Sequence, residues 1–62
     1  MNDPTPGQKV AFQCYIHDGC ETGRHVGEVE KVYVVTPTLT VVTFTDQRGQ
    51  VQHVPTHGLD AA

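Results

Sequence analysis

The 62-residue chain is predicted to fold as a small all-β domain of about five short strands. Valine is its commonest apolar residue, and a β-branched side chain packs well on a pleated sheet. Several runs alternate apolar and polar residues with a period of two, whereas no segment keeps the 3.6-residue period of a helix. Proline and glycine mark the breaks between these runs.

The positions of proline and glycine predict where the strands begin and end. Residues 1–7 contain two prolines and a glycine and predict a disordered lead-in, and residues 8–62 form the folded domain. Four strands are predicted in chain order, at residues 10–16, 26–35, 39–45 and 50–54. A polar loop precedes the second strand, and Gly27 is the expected bend point within that strand.

The later turns complete the predicted architecture. Pro37 ends the second strand, and Gly49 supplies a positive φ for a hairpin turn that begins at Asp46. Residues 55–58 predict one 3₁₀ turn that delivers Leu59 to a short last strand. Together these elements predict a small SH3-like barrel, whose closed sheet leaves no free edge. The expected core residues include Val10, Phe12, Val41, Phe44 and Leu59.

Composition argues against several classes of function. The net charge is −3, and the four fixed cations (Lys9, Arg24, Lys31 and Arg48) are scattered, which argues against nucleic-acid binding. No apolar run approaches the roughly 20 residues that cross a membrane. The N-terminus lacks a basic region followed by an apolar stretch, so a cytoplasmic protein is expected.

A cysteine and histidine pattern in the first half suggests a zinc site as one alternative. Its four members are Cys14, His17, Cys20 and His25. Thiolates and imidazoles suit tetrahedral zinc, but this order of ligands matches no common zinc module. Because Cys14 shares a strand face with apolar residues, we expect a buried free thiol and no bound metal. A Cys14–Cys20 disulfide is not expected in a cytoplasmic chain.

The C-terminal segment carries the most specific pattern. Gly49, Val51, Gln52, Pro55, Leu59 and Asp60 stand in the order Gly-x-Val-Gln-x-x-Pro, then Leu and an acid. This segment resembles the last strand of the type II dihydrofolate reductases borne on plasmids and integrons. The sequences at 7–10 and 27–33 are similar to the opening and the second strand of that family. His53 and Val54 stand where the family has isoleucine and tyrosine.

The resemblance implies a specific enzyme. Protomers of that family form a homotetramer with one central pore, which binds NADPH and dihydrofolate. The enzyme is insensitive to trimethoprim. It implies that Gln52 is the catalytic residue, acting by positioning the two rings rather than as an acid. The implied cofactor contacts are Val51, Gln52, His53, Val54 and Lys31, with Arg24 as an alternative to Lys31 as the pore cation. By strand alternation Gln52 and Val54 share a face.

A second hypothesis belongs to a different class. The same barrel could be a non-catalytic binding module for a protein, peptide or RNA partner, because function is argued from the site and the family's site is only half matched here. Assembly separates the two hypotheses, since the reductase needs a ring of four and a binding module does not.

Overall fold

A computed structural model describes residues 3–62 and shows a single antiparallel sheet. Its elements are β1 (Lys9–Cys14), β2 (Gly23–Thr36), β3 (Leu39–Asp46), β4 (Val51–Pro55), a 3₁₀ turn (Thr56–Gly58) and β5 (Leu59–Ala61). The strand order is β4-β3-β2-β1-β5. The predicted all-β class is therefore confirmed, together with the 3₁₀ turn before the last strand.

The sheet curls around one core without closing. Strands β4 and β5 are its two ends, and within residues 3–62 they do not pair with each other. All five strands nevertheless contribute to the same apolar cluster, formed by Val10, Val29, Val42, Phe44, Val54 and Leu59. The expected closure of the barrel is not found, so strand edges remain that a closed barrel would have removed.

The predicted core is correct in part. Val10, Phe44 and Leu59 are buried, as expected. Phe12 is half-buried and packs against the core from its margin. Val41 is also half-buried, because the neighbouring Val42 takes the core-facing position and alternation turns Val41 to the outer face.

The first strand ends earlier than predicted, at Cys14. Tyr15 and Ile16 lie in a turn, where the Asp18 N–H donates to the Tyr15 carbonyl at 2.9 Å and Ile16 is 78% exposed. This turn brings Cys20 back to Cys14, with 6.2 Å between their Cα atoms, and the two form a disulfide. Cys14 is buried as expected, but the predictions of a free thiol and of no disulfide were wrong. Spacing along the chain did not reveal that the loop folds back.

Strand β2 pairs with both of its neighbours at Gly27. Gly27 lies opposite Val10 on one side and Asp46 on the other, so both neighbouring strands meet there. A Cβ at Gly27 would lie 2.7 Å from Phe44 Cδ2 and would overlap the Thr45 carbonyl. The bend predicted at Gly27 stays a prediction, and the shifts in the β2–β3 register lie further along the strand, between Val29 and Lys31 and between Val34 and Thr36. Strand β2 begins at Gly23 rather than Val26, because its first residues pair with β1.

The segment before β1 contacts the sheet over its described part. The Gly7 N–H donates to the Val29 carbonyl at 2.8 Å, and the Val29 N–H donates to the Gln8 carbonyl at 2.9 Å. Pro4 is buried. The first two residues of the predicted lead-in lie outside the described residues. The described chain contains no helix that is long and apolar enough to cross a membrane.

Candidate functional site: a buried polar cluster and an open strand edge

Asp46 is the centre of a buried polar cluster. Its Oδ2 accepts hydrogen bonds from His25 Nδ1 and from Gln52 Nε2, each at 2.9 Å. Its Oδ1 accepts the backbone N–H groups of Arg48 and Gln50, also at 2.9 Å. The side chains of His25 and Asp46 are fully buried. Four donors thus converge on one carboxylate that has no contact with solvent.

Local structure brings these groups together. Asp46 is the last residue of β3 and begins the turn that ends at Gly49, whose φ is +82°. The Gly49 N–H donates to the Asp46 carbonyl at 3.0 Å, so side chain and backbone of the same residue stabilise the turn. Gln52 lies on β4 opposite Phe44, which places its side chain on the core-facing side.

The same turn is fastened to β2. The Gln47 side chain accepts the Val26 N–H and donates to the Arg24 carbonyl, both at 2.7 Å. These bonds lie on either side of His25 along the chain. Gln47 and Asp46 therefore hold the β3–β4 turn against β2 beyond the point where β2 and β3 stop pairing.

The charge of Asp46 is stabilised by its donors. Burial raises the pKa of Asp46, but the hydrogen bonds from Gln50, His25, Gln52 and Arg48 outweigh burial and hold its pKa well below the ordinary value. The carboxylate is therefore ionised at neutral pH, and it needs these donors to remain so while buried.

His25 bridges Asp46 to the loop that follows the disulfide. Its Nε2 lies 2.7 Å from the Glu21 carbonyl oxygen, while its Nδ1 faces Asp46. The ring therefore lies between the carboxylate that ends β3 and the backbone of the loop before β2. The ring also stacks on Phe12, with 6.1 Å between centroids.

This cluster is closed to solvent and hydrogen-bonded throughout its described part. A histidine and aspartate at hydrogen-bond distance resemble part of a catalytic triad, but a substrate must reach such a pair, and this one is closed to solvent. No buried side-chain nitrogen or oxygen in the described part of the chain lacks a hydrogen bond. A fully satisfied buried network specifies one arrangement of the strands around it.

Two of the site residues predicted from the sequence face the core. Gln52 is half-buried and uses its amide N–H to hold Asp46. Val54 is 2% exposed and belongs to the apolar cluster. They share a face, as the alternation predicted, and that face is turned toward the centre of the same chain.

The other three predicted residues lie on the outer face. Lys31, Thr43 and His53 form one row across β2, β3 and β4, so the structure places Lys31 and His53 on the same face. Val51 is on that face too and is 58% exposed. The predicted set is therefore divided between two faces of the sheet.

The zinc alternative lacks its ligands. Both cysteines are in the disulfide, and both ring nitrogens of His25 are engaged. Among residues 3–62 no group of three or more His, Cys, Asp or Glu is arranged to hold a metal ion.

An open edge and a groove lie at the far end of β2. Strand β1 pairs with β2 only as far as Glu28, and the segment before β1 reaches Val29. Beyond that point no strand of the described chain pairs with this edge of β2. Beside it is a groove of about 550 Å³ lined by Asp3, Pro4, Thr5, Val32, Val34, Thr40 and Thr56.

The side chains along this edge are apolar and exposed. Tyr33 is 46% exposed, Val34 is 74% exposed and Val35 is 58% exposed. This surface was not predicted from the sequence, because a closed barrel would have no free edge. The run Val-Tyr-Val-Val at residues 32–35 was the available signal, since it has apolar residues at consecutive positions instead of alternating with polar ones.

Comparisons with known proteins provide no assignment: no family model, curated protein or solved structure matches this chain.

Proposed function

We propose that this protein is a non-catalytic interaction module that binds a strand of a protein partner along the open edge of β2, from Lys31 to Val35. The observation that carries the proposal is an edge whose backbone pairs with no strand of residues 3–62 and whose apolar side chains are exposed. In strand addition, main-chain hydrogen bonds supply affinity and pockets for alternate side chains supply specificity.

Residues 32–35 carry neither a charge nor a proline, two of the features that keep edge strands from pairing with other chains, and shifts in the β2–β3 register flank them at Val29–Lys31 and Val34–Thr36. Natural edges are protected by charged residues, proline, bulges or a covering segment. Pro37 comes only at the following turn. Residues 32–35 are all strong β-formers.

The groove supplies places for alternate side chains of the bound strand. Val32 and Val34 line it from β2, and Thr40 and Thr56 line it from neighbouring elements. Residues of a partner strand that point toward this side would enter the groove, while those between them would lie beside Tyr33 on the opposite face.

The other two sheet ends are less suited to strand addition. Strand β4 ends in Pro55, which has no N–H to donate. Strand β5 contains only three residues, one of them the charged Asp60. The far part of β2 is therefore the edge on which the proposal rests.

The reductase hypothesis remains a prediction of the sequence resemblance. The burial of Val54 and the bond from Gln52 to Asp46 favour the binding module, because neither side chain faces outward to a pore. Oxidation of NADPH by the purified protein with dihydrofolate, in the presence of trimethoprim, tests the hypothesis. We expect no turnover. Activity in the parent protein that is lost in a folded Gln52→Ala variant would instead support the reductase hypothesis.

The disulfide bears on the compartment. A Cys14–Cys20 bond favours an oxidising environment over the cytoplasm predicted from the sequence, because cytosolic thiols are kept reduced. Alkylation of the protein in freshly lysed host cells, followed by mass spectrometry, separates the two. A disulfide-bonded peptide is the expected result, and two alkylated cysteines would support the cytoplasmic location predicted from the sequence.

The binding proposal is tested with random peptides displayed on phage and selected on the immobilised protein. We expect selected peptides to be extended and rich in β-formers, and to shift the amide resonances of residues 31–35. Val34→Lys should abolish this binding. Val51→Lys places the same substitution on an exposed valine of β4 and is the matched control. Peptides that shift the amide resonances of other strands, or that bind Val34→Lys with unchanged affinity, would contradict the proposal.

A further inference from the structure

We infer that the strand bound at this edge is β2 of a second copy of the chain, in an antiparallel pair related by a two-fold axis at Tyr33. This inference rests on the proposed function and names its partner. It joins β4, β3 and β2 of each copy into one continuous sheet.

Symmetry makes the edge complementary to itself. Two copies of one strand, placed antiparallel about a two-fold axis, present the same donors and acceptors to each other. Any hydrogen bond made by one copy is repeated by the other. A single exposed edge therefore suffices for a closed dimer.

The surroundings of the edge select the register. With the axis at Tyr33, Val32 lies opposite Val34 of the second copy, and Lys31 lies opposite its Val35. Moving the axis to Val34 would place Pro37 opposite Lys31, where proline has no N–H to donate. Moving the axis to Val32 would place Val29 opposite Val35 of the second copy, but the Val29 backbone is already bonded to Gly7 and Gln8.

The charges are compatible with this register. Asp3 lines the neighbouring groove, and the charged residues of β2 near the edge are Glu30 and Lys31, both at its N-terminal end. The antiparallel arrangement places them opposite Thr36 and Val35 of the second copy, so no like charges face each other. Like charges directly opposite each other across a strand pair would be destabilising.

The groove and the size of the chain provide the remaining argument. Val32 and Val34 line the groove, and in this register the same two valines of the second copy are added beside them. A chain of this length buries only about 60% of its unfolded surface, and small domains commonly gain stability by association. Pairing would cover the apolar side chains that are exposed in one copy.

A cysteine at the axis tests the register directly. Directly opposite residues of an antiparallel pair approach within the range that a disulfide can bridge. In Tyr33→Cys, mild oxidation should therefore give a covalent dimer linked through residue 33, with Cys14–Cys20 intact by peptide mapping. Val51→Cys introduces an equally simple change on β4 and should remain uncrosslinked. A monomeric Tyr33→Cys, or equal crosslinking of both variants, would overturn the inference.

Light scattering after gel filtration tests the association itself. We expect a concentration-dependent dimer, and Val34→Lys should raise its dissociation constant by about tenfold or more, with Val51→Lys unchanged. Circular dichroism checks folding, and Val35→Lys replaces Val34→Lys if that variant unfolds. A chain that stays monomeric while selected peptides still shift residues 31–35 would refute the second copy and leave the binding module. If the chain stays monomeric and no selected peptide shifts residues 31–35, both the second copy and the binding module are refuted.

Discussion

The Gln52 side-chain nitrogen donates to Asp46 Oδ2 at 2.9 Å, and this bond fastens β4 to the turn that precedes it. Glutamine on a strand of a very small protein suggested a residue that faces a ligand. Its partner is instead a buried carboxylate of the same chain, which also holds His25 on β2. One polar cluster therefore connects β2, β3 and β4.

Gln52→Ala should lower the free energy of unfolding by about 2 kcal/mol, because a hydrogen bond to a charged group is lost and one donor of Asp46 disappears. Urea denaturation measures the change. Gln50→Ala is the control, since Gln50 is exposed and serves Asp46 through its backbone N–H. Equal stability of the two variants would show that the Gln52 bond contributes nothing.

The stability of the fold should depend on pH through Asp46. Its pKa is lower in the folded chain than in the unfolded one, so its stabilising contribution is present above the ordinary carboxyl range and is lost as the pH falls below about 4. Urea denaturation between neutral and strongly acidic pH measures this loss. Asp46→Asn should be less stable at neutral pH and should lose less on acidification. Parallel pH profiles for the two proteins would contradict the assignment.

Breaking the Cys14–Cys20 bond should cost about 2 kcal/mol of stability, as expected from the chain entropy of so short a loop. The double variant Cys14→Ala, Cys20→Ser shows this in urea denaturation without added reductant. Reduced parent protein should behave like the variant, and reductant should leave the variant unchanged. Two reactive thiols in the untreated, unfolded protein would show that the disulfide does not form.

Gly27→Ala should destabilise the fold by about 1–3 kcal/mol, because the added Cβ meets the Thr45 carbonyl and the Phe44 ring. Gly58→Ala is the matched control, since a Cβ there would meet only Val54 Cγ1 at 3.9 Å. Thermal unfolding of the two variants measures the difference. A Gly27→Ala protein as stable as the control would mean that β2 and β3 separate at this point without cost.

The sequence predicted the elements more successfully than the partners of their side chains. The position of Gly49 and the 3₁₀ turn followed from local turn chemistry, and Phe44 followed from alternation in β3. The predicted burial of both Val41 and Phe44 contradicts strict alternation, and the structure keeps only Phe44 in the core.

Long-range polar contacts could not be predicted from local patterns. His25 and Asp46 are far apart along the chain, and their contact depends on the pairing of β2 with β3, which places Gly27 opposite Asp46. Because that contact was not predicted, the partner of Gln52 was unknown, and the resemblance to a pore-lining strand led to the prediction of a catalytic residue. The disulfide was missed for a similar reason, since the turn at Tyr15 that returns Cys20 to Cys14 depends on the Asp18 side chain.

Amide hydrogen exchange along β2, measured by NMR at low and high protein concentration, tests the central claim most directly. The account predicts that within residues 32–35 the amides directed toward the open edge exchange quickly in dilute solution and become protected as concentration rises. Exposed amides of β4, such as that of His53, serve as the reference and should not change. Protection that appears on β4 instead, or β2 amides that exchange equally fast at every concentration while the protein associates, would contradict it.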